Sequence, residues 1–256
     1  MNLVDVHAHL DMPPVIDHIE EVVSRAKAAG VGVIIANGVN PSSNRMVLDL
    51  AKKYDIIKPA LGLYPTDTHH LSLEEIQQEI DFIASQSNII AFGEVGLDKK
   101  WSEEDKKRAD ELFEHQKKAF TLCIKKSMEL DIPLIIHSRK AELEVIELLE
   151  ELGAKKVVMH CFMGKKKYVE RIQKNKWYFS IPCIVSKLNQ LQYMVQTTPL
   201  SRLLLETDAP FLGVDVDSFN ESARIRESVE IIARIKGLTV QETADQLFMN
   251  YQRLFQ

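Results

Sequence analysis

Short apolar, β-branched runs alternate with longer segments of helical period along nearly the whole chain, the pattern of strand–helix units laid around a parallel sheet. Eight runs read as strands: Leu3–His9, Val31–Asn37, Ile56–Leu63, Ile89–Gly96, Pro133–His137, Val157–Cys161, Trp177–Ile181 and Arg202–Thr207. The helical stretches are Ile16–Ala29, Arg45–Tyr54, Leu73–Ser85, Glu103–Leu130, Ala141–Leu152, Tyr168–Asn175, Ser186–Thr197 and Ser222–Ile235, with a closing helix from Thr239 to Phe255. Start and stop signals agree with these bounds. Ser72 with Glu75 and Thr239 with Glu242 have capping-box spacing, and Gly30, Gly153 and Gly237 stand where helices should end. No linker-like or low-complexity tract breaks the rhythm, so a single domain over residues 1–256 is expected.

Eight such α/β units can close into a (β/α)8 TIM barrel or lie open as a doubly wound sheet, and the position of the polar residues discriminates. In a barrel they gather at the carboxyl ends of many strands. His7 and His9 end the first strand, Glu94 the fourth, His137 the fifth, His160 the sixth and Asp208 the eighth, so all six should face one mouth. Alternate strand residues point to one face, which turns both imidazoles of His7-Ala8-His9 inward. A glutamate at the end of the fourth strand can offer both oxygens and bridge two ions, with His137 and His160 completing the second ion's shell and Asp208 serving the first. This donor set suits zinc, manganese or iron better than calcium, and magnesium where waters fill the shell.

A single buried histidine at a strand end is more often a hydrogen-bonded core residue than a ligand. Four of the 8 histidines together with two carboxylates at one end make the metal site the stronger reading. His69, His70 and Cys161 lack a partnering pattern and read as loop or core residues, and His18 and His115 as ordinary helix residues.

Composition narrows the setting. With 32 basic and 37 acidic residues the formal net charge is −5, and 45% of residues are hydrophobic, which excludes a disordered chain. No apolar run approaches the roughly 20 residues that cross a bilayer, and Met1 leads almost directly into Leu3-Val4-Asp5-Val6 without a secretory pattern, so a cytoplasmic protein is expected. Cys123, Cys161 and Cys183 are odd in number and widely spaced, which suits reduced thiols. An acidic chain attracts a polyanion only through a local basic patch. Loops that follow barrel strands open on the active face, which places Lys99, Lys100, Arg139, Lys140 and Lys165–Lys167 around the mouth. The alternative for Lys165–Lys167 is a solvated helix start. Tyr64 and Trp101 could stack a base, and Trp101 could equally pack under the long fourth helix.

The segments Asp5-Val6-His7-Ala8-His9-Leu10, Gly93-Glu94-Val95-Gly96-Leu97-Asp98, Ile136-His137-Ser138-Arg139, His160-Cys161-Phe162-Met163-Gly164 and Glu206-Thr207-Asp208-Ala209-Pro210-Phe211-Leu212 together resemble the TatD family of metal-dependent hydrolases, a branch of the amidohydrolase-like barrels. The resemblance covers almost the full length. It implies a distorted TIM barrel, divalent metals and hydrolysis of phosphodiester bonds in DNA, often from the 3′ end. The family's metal ligands fall on His7, His9, Glu94, His137, His160 and Asp208, with Glu94 as the bridge. Two motifs depart from the family pattern. Tyr64 precedes Pro65 where the family usually has a histidine, and Gly213–Ser222 replaces a basic R-G-K-x-N-E-P loop, of which Asn220 and Glu221 are kept.

The expected chemistry is a deoxyribonuclease in which two divalent ions (zinc, magnesium or manganese) hold the phosphate and activate a water. Asp208 acts as general base, and Glu94 as the other catalytic carboxylate. Tyr64, Arg139, Lys99 and Lys165 contact single-stranded DNA or 3′ ends. Glu206 reads as a second partner behind a ligand or as an interior residue paired to a cation. Two other readings stay open: a hydrolase of an amide, ester or aminoacyl bond on the same scaffold, and a catalytically inactive metal-binding scaffold. A monomer is expected.

Overall fold

The computed structural model describes residues 2–101, 105–213 and 219–256. Among these residues, β1 (Leu3–Ala8), β2 (Val31–Asn37), β3 (Ile57–Leu61), β4 (Ala91–Asp98), β5 (Leu134–Arg139), β6 (Val157–Met159), β7 (Tyr178–Ile181) and β8 (Leu203–Leu205) pair in parallel in that order. The ring closes just past β8. Ala8 bridges Ala209, the Asp208 N–H donates to the His7 carbonyl at 2.9 Å, and the His9 N–H donates to the Ala209 carbonyl at 2.7 Å. The eight-stranded (β/α)8 barrel expected from the alternating pattern is therefore the one observed.

Outside the strands lie α1 (Ile19–Ala28), α2 (Pro41–Lys53), α3 (Leu73–Ala84), α4 (Ala109–Leu130), α5 (Glu142–Leu152), α6 (Lys166–Lys174), α7 (Asn189–Thr197), α8 (Ile225–Lys236) and α9 (Val240–Phe255). Both capping boxes form, Ser72 with Glu75 and Thr239 with Glu242. Gly153 and Gly237 end α5 and α8 at φ 73° and 67°, the left-handed conformation in which a side chain would clash with its own backbone. Helix α2 starts at Pro41 instead of Arg45, because the Asn40 side chain caps the Ser43 N–H and proline loses nothing in the first turn. The expected start of the fourth helix at Glu103 lies outside the described residues, and a 3-10 turn over Asp105–Arg108 leads into α4. No described helix is long and apolar enough to cross a membrane.

Apolar packing forms two layers. One lies between barrel and helices, with Phe92, Leu97, Ile136, Met159 and Leu205 facing outward onto helix residues such as Phe120 and Ile146. The other fills the barrel: Val4, Val6, Ile35, Ala60, Ala91, Ile135, Val158, Tyr178 and Leu204 point inward and meet Tyr251 and Leu254 of α9. Helix α9 thus plugs the amino end, so polar side chains can converge only at the carboxyl end.

Two strands change face on the way there. Val4 and Val6 face the interior, and strict alternation would send His7 and His9 outward. Between Asp5↔Ile34 and Ala8↔Ala36 the register shifts by one residue, a bulge that turns the two histidines back inward. Strand β4 repeats the device between Phe92↔Leu134 and Val95↔Ile136. Ala91 faces in and Phe92 out, then Glu94 faces in and Val95 out. Gly93 allows it, because a Cβ there would lie 2.7 Å from the Ile135 Cβ and 2.8 Å from Asn37 Oδ1.

Candidate metal centre

The six residues singled out from their strand-end positions converge on one point. His7 Nε2 and His9 Nε2 lie 3.2 Å apart. Asp208 Oδ1 is 3.3 Å from the first and 3.4 Å from the second, and Glu94 Oε2 is 3.6 and 3.3 Å from them. The other oxygen of Glu94, Oε1, lies 2.8 Å from His137 Nδ1 and 3.9 Å from His160 Nε2. Glu94 therefore divides its oxygens between two donor groups, His7–His9–Asp208 and His137–His160. Asp208 Oδ1 is also 3.9 Å from His160 Nε2, and the triads His7–His9–Glu94, His7–His160–Asp208 and Glu94–His137–His160 each bring their donor atoms within 4.8 Å of one another.

The partners behind the histidines set which nitrogen is free. The Asn37 carbonyl accepts from His9 Nδ1 at 3.1 Å, leaving the Nε2 lone pair aimed at the cluster. Glu206 Oε2 accepts from His160 Nδ1 at 2.9 Å with the same result. Glu206, fully buried, also accepts from the Cys161 N–H and the Ser180 hydroxyl, so it sits behind His160, as the first of its two readings has it. His137 is turned the other way. Its Nε2 faces Asp98 Oδ2 at 3.3 Å and the Tyr64 hydroxyl at 3.2 Å, and its Nδ1 points inward. His7 stacks on His160 with ring centroids 3.8 Å apart, and its Nδ1 has no hydrogen-bond partner among the described residues.

Charge reinforces this arrangement. Burial alone would push His9, His137 and His160 down, but the carboxylates beside them outweigh it and raise all three, His160 to about 9. His7 is lowered by burial and by the charge of His160. Burial would likewise raise Glu94 and Asp208, yet the surrounding histidines hold both well below the usual carboxylate range. Two imidazole nitrogens 3.2 Å apart, each facing carboxylate oxygens, cannot all be satisfied by single protons in line, whereas a cation between them satisfies every lone pair. The residues present fit a divalent metal.

The cluster forms the floor of a cleft of about 530 Å³. Tyr64 and Arg139 line one side of it. Arg139 Nε donates to Asp98 Oδ2 at 2.9 Å, its Nη2 donates to the Tyr64 hydroxyl at 3.0 Å, and that hydroxyl donates to Asp98 Oδ2 at 3.0 Å. Lys99 and Lys165 are not among the lining residues. Lys99 pairs with Glu144 and lies 4.2 Å from the Phe113 ring, and Lys165 is exposed at the start of α6. Lys166 and Lys167 sit over Tyr193 and Tyr168. Trp101 packs between His69 and Phe113 of α4, the second of its two sequence readings. Residues 214–218, in the stretch that departs from the basic family loop, lie outside the described residues. Of the two residues kept there, Glu221 holds Arg25 of α1 through three hydrogen bonds, and Asn220 is buried.

Several residues of the site escape sequence reasoning. Asp98 shows only as the last letter of Gly93–Asp98, with nothing local to place it against His137. Asp5 lies two residues before His7 inside an apolar strand, and that misplaced charge was a usable signal. It accepts from the His7 N–H at 3.2 Å and from the Thr207 N–H at 3.0 Å, tying β1 to the chain that follows β8, and burial pushes it up to about 7. The apolar wall of Met12, Val39, Phe211 and Leu212 had no pattern to announce it.

Comparison with known proteins agrees with this geometry. Residues 4–256 match the family model described as TatD related DNase. The chain is 32% identical to the metal-dependent hydrolase YabD of Bacillus subtilis, covering 99% of this chain and 98% of that protein. It is 30% identical to the human deoxyribonuclease TATDN3, covering 100% of this chain and 95% of the other. Among solved structures, the TATD homolog YJJV of Escherichia coli K12 superposes with a TM-score of 0.84 at 27% identity, covering 99% and 97% of the two chains. A barrel of this order, with histidine and carboxylate donors at its mouth and a family match from one end of the chain to the other, belongs to the TatD-related DNases, a family of metal-dependent hydrolases.

Proposed function

We propose that this chain is a deoxyribonuclease that hydrolyses DNA phosphodiester bonds from 3′ ends with two divalent ions. The division of the Glu94 oxygens between two donor groups supports this most directly. His7, His9, Asp208 and Glu94 Oε2 would hold one ion, and Glu94 Oε1, His137 and His160 the other, with zinc, manganese or magnesium suited to such donors. Bound there, the ions supply Lewis acidity, polarising a phosphoryl oxygen and acidifying a water.

The chain's own groups do the rest. Asp208, with a side chain 13% exposed against 3% for Glu94, is the carboxylate open to the cleft. Held anionic across the neutral range, it accepts the proton of the attacking water. Arg139 is anchored by Asp98 and Tyr64 and still lines the cleft, so its guanidinium can offer a fixed cation to the phosphate without first being ordered. Tyr64, where the family usually has histidine, brings a hydroxyl and no positive charge. Lys99 and Lys165, set back from the cleft, would act through the field along the strand and weaken with salt.

The test is cleavage of 5′- and 3′-labelled single-stranded DNA by metal-stripped protein after adding magnesium, manganese or zinc, beside Asp208→Asn. Laddering from one end that needs metal and vanishes in the variant is expected. Wild-type protein that binds metal yet leaves DNA intact with all three ions would overturn the assignment.

A further inference from the structure

One side of the cleft has no part in the chemistry above. Met12, Val39, Phe211 and Leu212 line it, and Phe211 is 51% exposed, more than the other large apolar side chains exposed among the described residues. Removing apolar surface from water is favourable, so the half-exposed ring holds an unused surface at the mouth.

That ring is on a held loop. The Phe211 N–H donates to the Asp208 carbonyl at 2.7 Å, and the fully buried Asn220 side chain donates to the Phe211 carbonyl at 2.8 Å and the Thr207 carbonyl at 2.7 Å. Leu212 follows at φ 55°, a left-handed conformation that is unfavourable for a residue with a side chain and persists where neighbours impose it. The ring is also placed. Its centroid is 6.0 Å from that of His9, whose other edge faces Glu94 and Asp208. A flat apolar surface beside a phosphate-handling centre matches the build of a nucleotide, in which one sugar joins base to phosphate.

We propose that Phe211 is the stacking platform for the nucleobase adjoining the scissile phosphate, with Met12, Val39 and Leu212 completing an apolar subsite. The proposal rests on the nuclease reading. The subsite offers little to read a base edge, since the nearby Asn40 amide already donates to Asp67 at 2.8 Å. The platform therefore accepts any base, as stacking does.

The test separates binding from cleavage. An oligonucleotide with 2-aminopurine at its 3′-terminal nucleotide is titrated with zinc-loaded Asp208→Asn protein, with and without Phe211→Ala or Phe211→Trp. Cleavage by the corresponding variants with Asp208 intact is compared on normal DNA and on DNA with an abasic terminal nucleotide. Stacking predicts fluorescence quenching that Phe211→Ala abolishes and Phe211→Trp keeps. It also predicts a loss of about 10-fold in kcat/KM for Phe211→Ala on normal DNA, with almost none on the abasic substrate. Quenching that is absent, or indifferent to Phe211, overturns the platform, and so does an equal loss on both substrates. Phe211-dependent quenching by a protein that cleaves no DNA supports the platform while overturning the nuclease reading.

Discussion

The strands that carry the metal-centre residues fall into two kinds. In β5, β6 and the first residues past β8 the alternation is unbroken: Ile135 and His137, Val158 and His160, and Leu204 and Glu206 keep to the inner face, and Asp208 then turns at φ 60°. In β1 and β4 a bulge intervenes between the last inward apolar residue and the first donor residue of the cluster. The difference teaches how one strand serves two purposes. A regular strand extends the packed interior smoothly into the site, whereas a bulged strand re-aims its side chains over a single residue. The backing groups divide along the same line. The regular strands' histidines, His137 and His160, are each held by a buried carboxylate, Asp98 or Glu206, whereas His9 leans on a backbone carbonyl and His7 Nδ1 on nothing described.

This contrast can be broken at its hinge. Glu94 sits on a bulge and faces both donor groups, so Glu94→Ala should cost about 10³-fold or more in kcat and remove metal from both groups. Metal content by elemental analysis checks this, and loss of one ion with retention of the other would show that Glu94 does not bridge. The bulge itself is tested by Gly93→Ala. The added Cβ meets Ile135 and Asn37 at under 3 Å, which should destabilise the protein by about 2–3 kcal/mol in a urea titration. A matched Ile135→Val on the regular neighbour should cost about 1 kcal/mol. The backing carboxylates act on the metal and not on the fold. Glu206→Gln and Asp98→Asn should each weaken metal affinity by about 10–100-fold, read by competition with a chelating dye, with the overall fold unchanged by circular dichroism.

The eight-unit rhythm was legible because apolar period is a local property. Both capping boxes and the helix-ending glycines at 153 and 237 could be placed from the same kind of signal. The six donor residues were legible because they recur at the ends of successive apolar runs, so once a barrel is inferred their convergence follows. The phase of β1 and β4 was not legible. Counting back from His7 and His9 by twos leads to Asp5 and Leu3, while the residues that fill the barrel are Val4 and Val6. Asp98 and Glu206 were equally hidden as backing groups, since whether a carboxylate lies behind a ring or beside a cation depends on which strand is its neighbour.

The amino-acid order by itself thus determined the number and sequence of the elements, the end of the barrel where polar groups gather and the chemistry those groups can support. Hydrophobic period, capping and residue type act over a few positions, and they need no partner to be read. Tertiary structure alone decided the face each donor residue takes after a bulge, the ring nitrogen each histidine presents, the pairing of Lys99 with Glu144 away from the cleft, and the display of Phe211 at its rim. Each of these depends on contacts between residues far apart in the chain, which take effect only when the barrel closes.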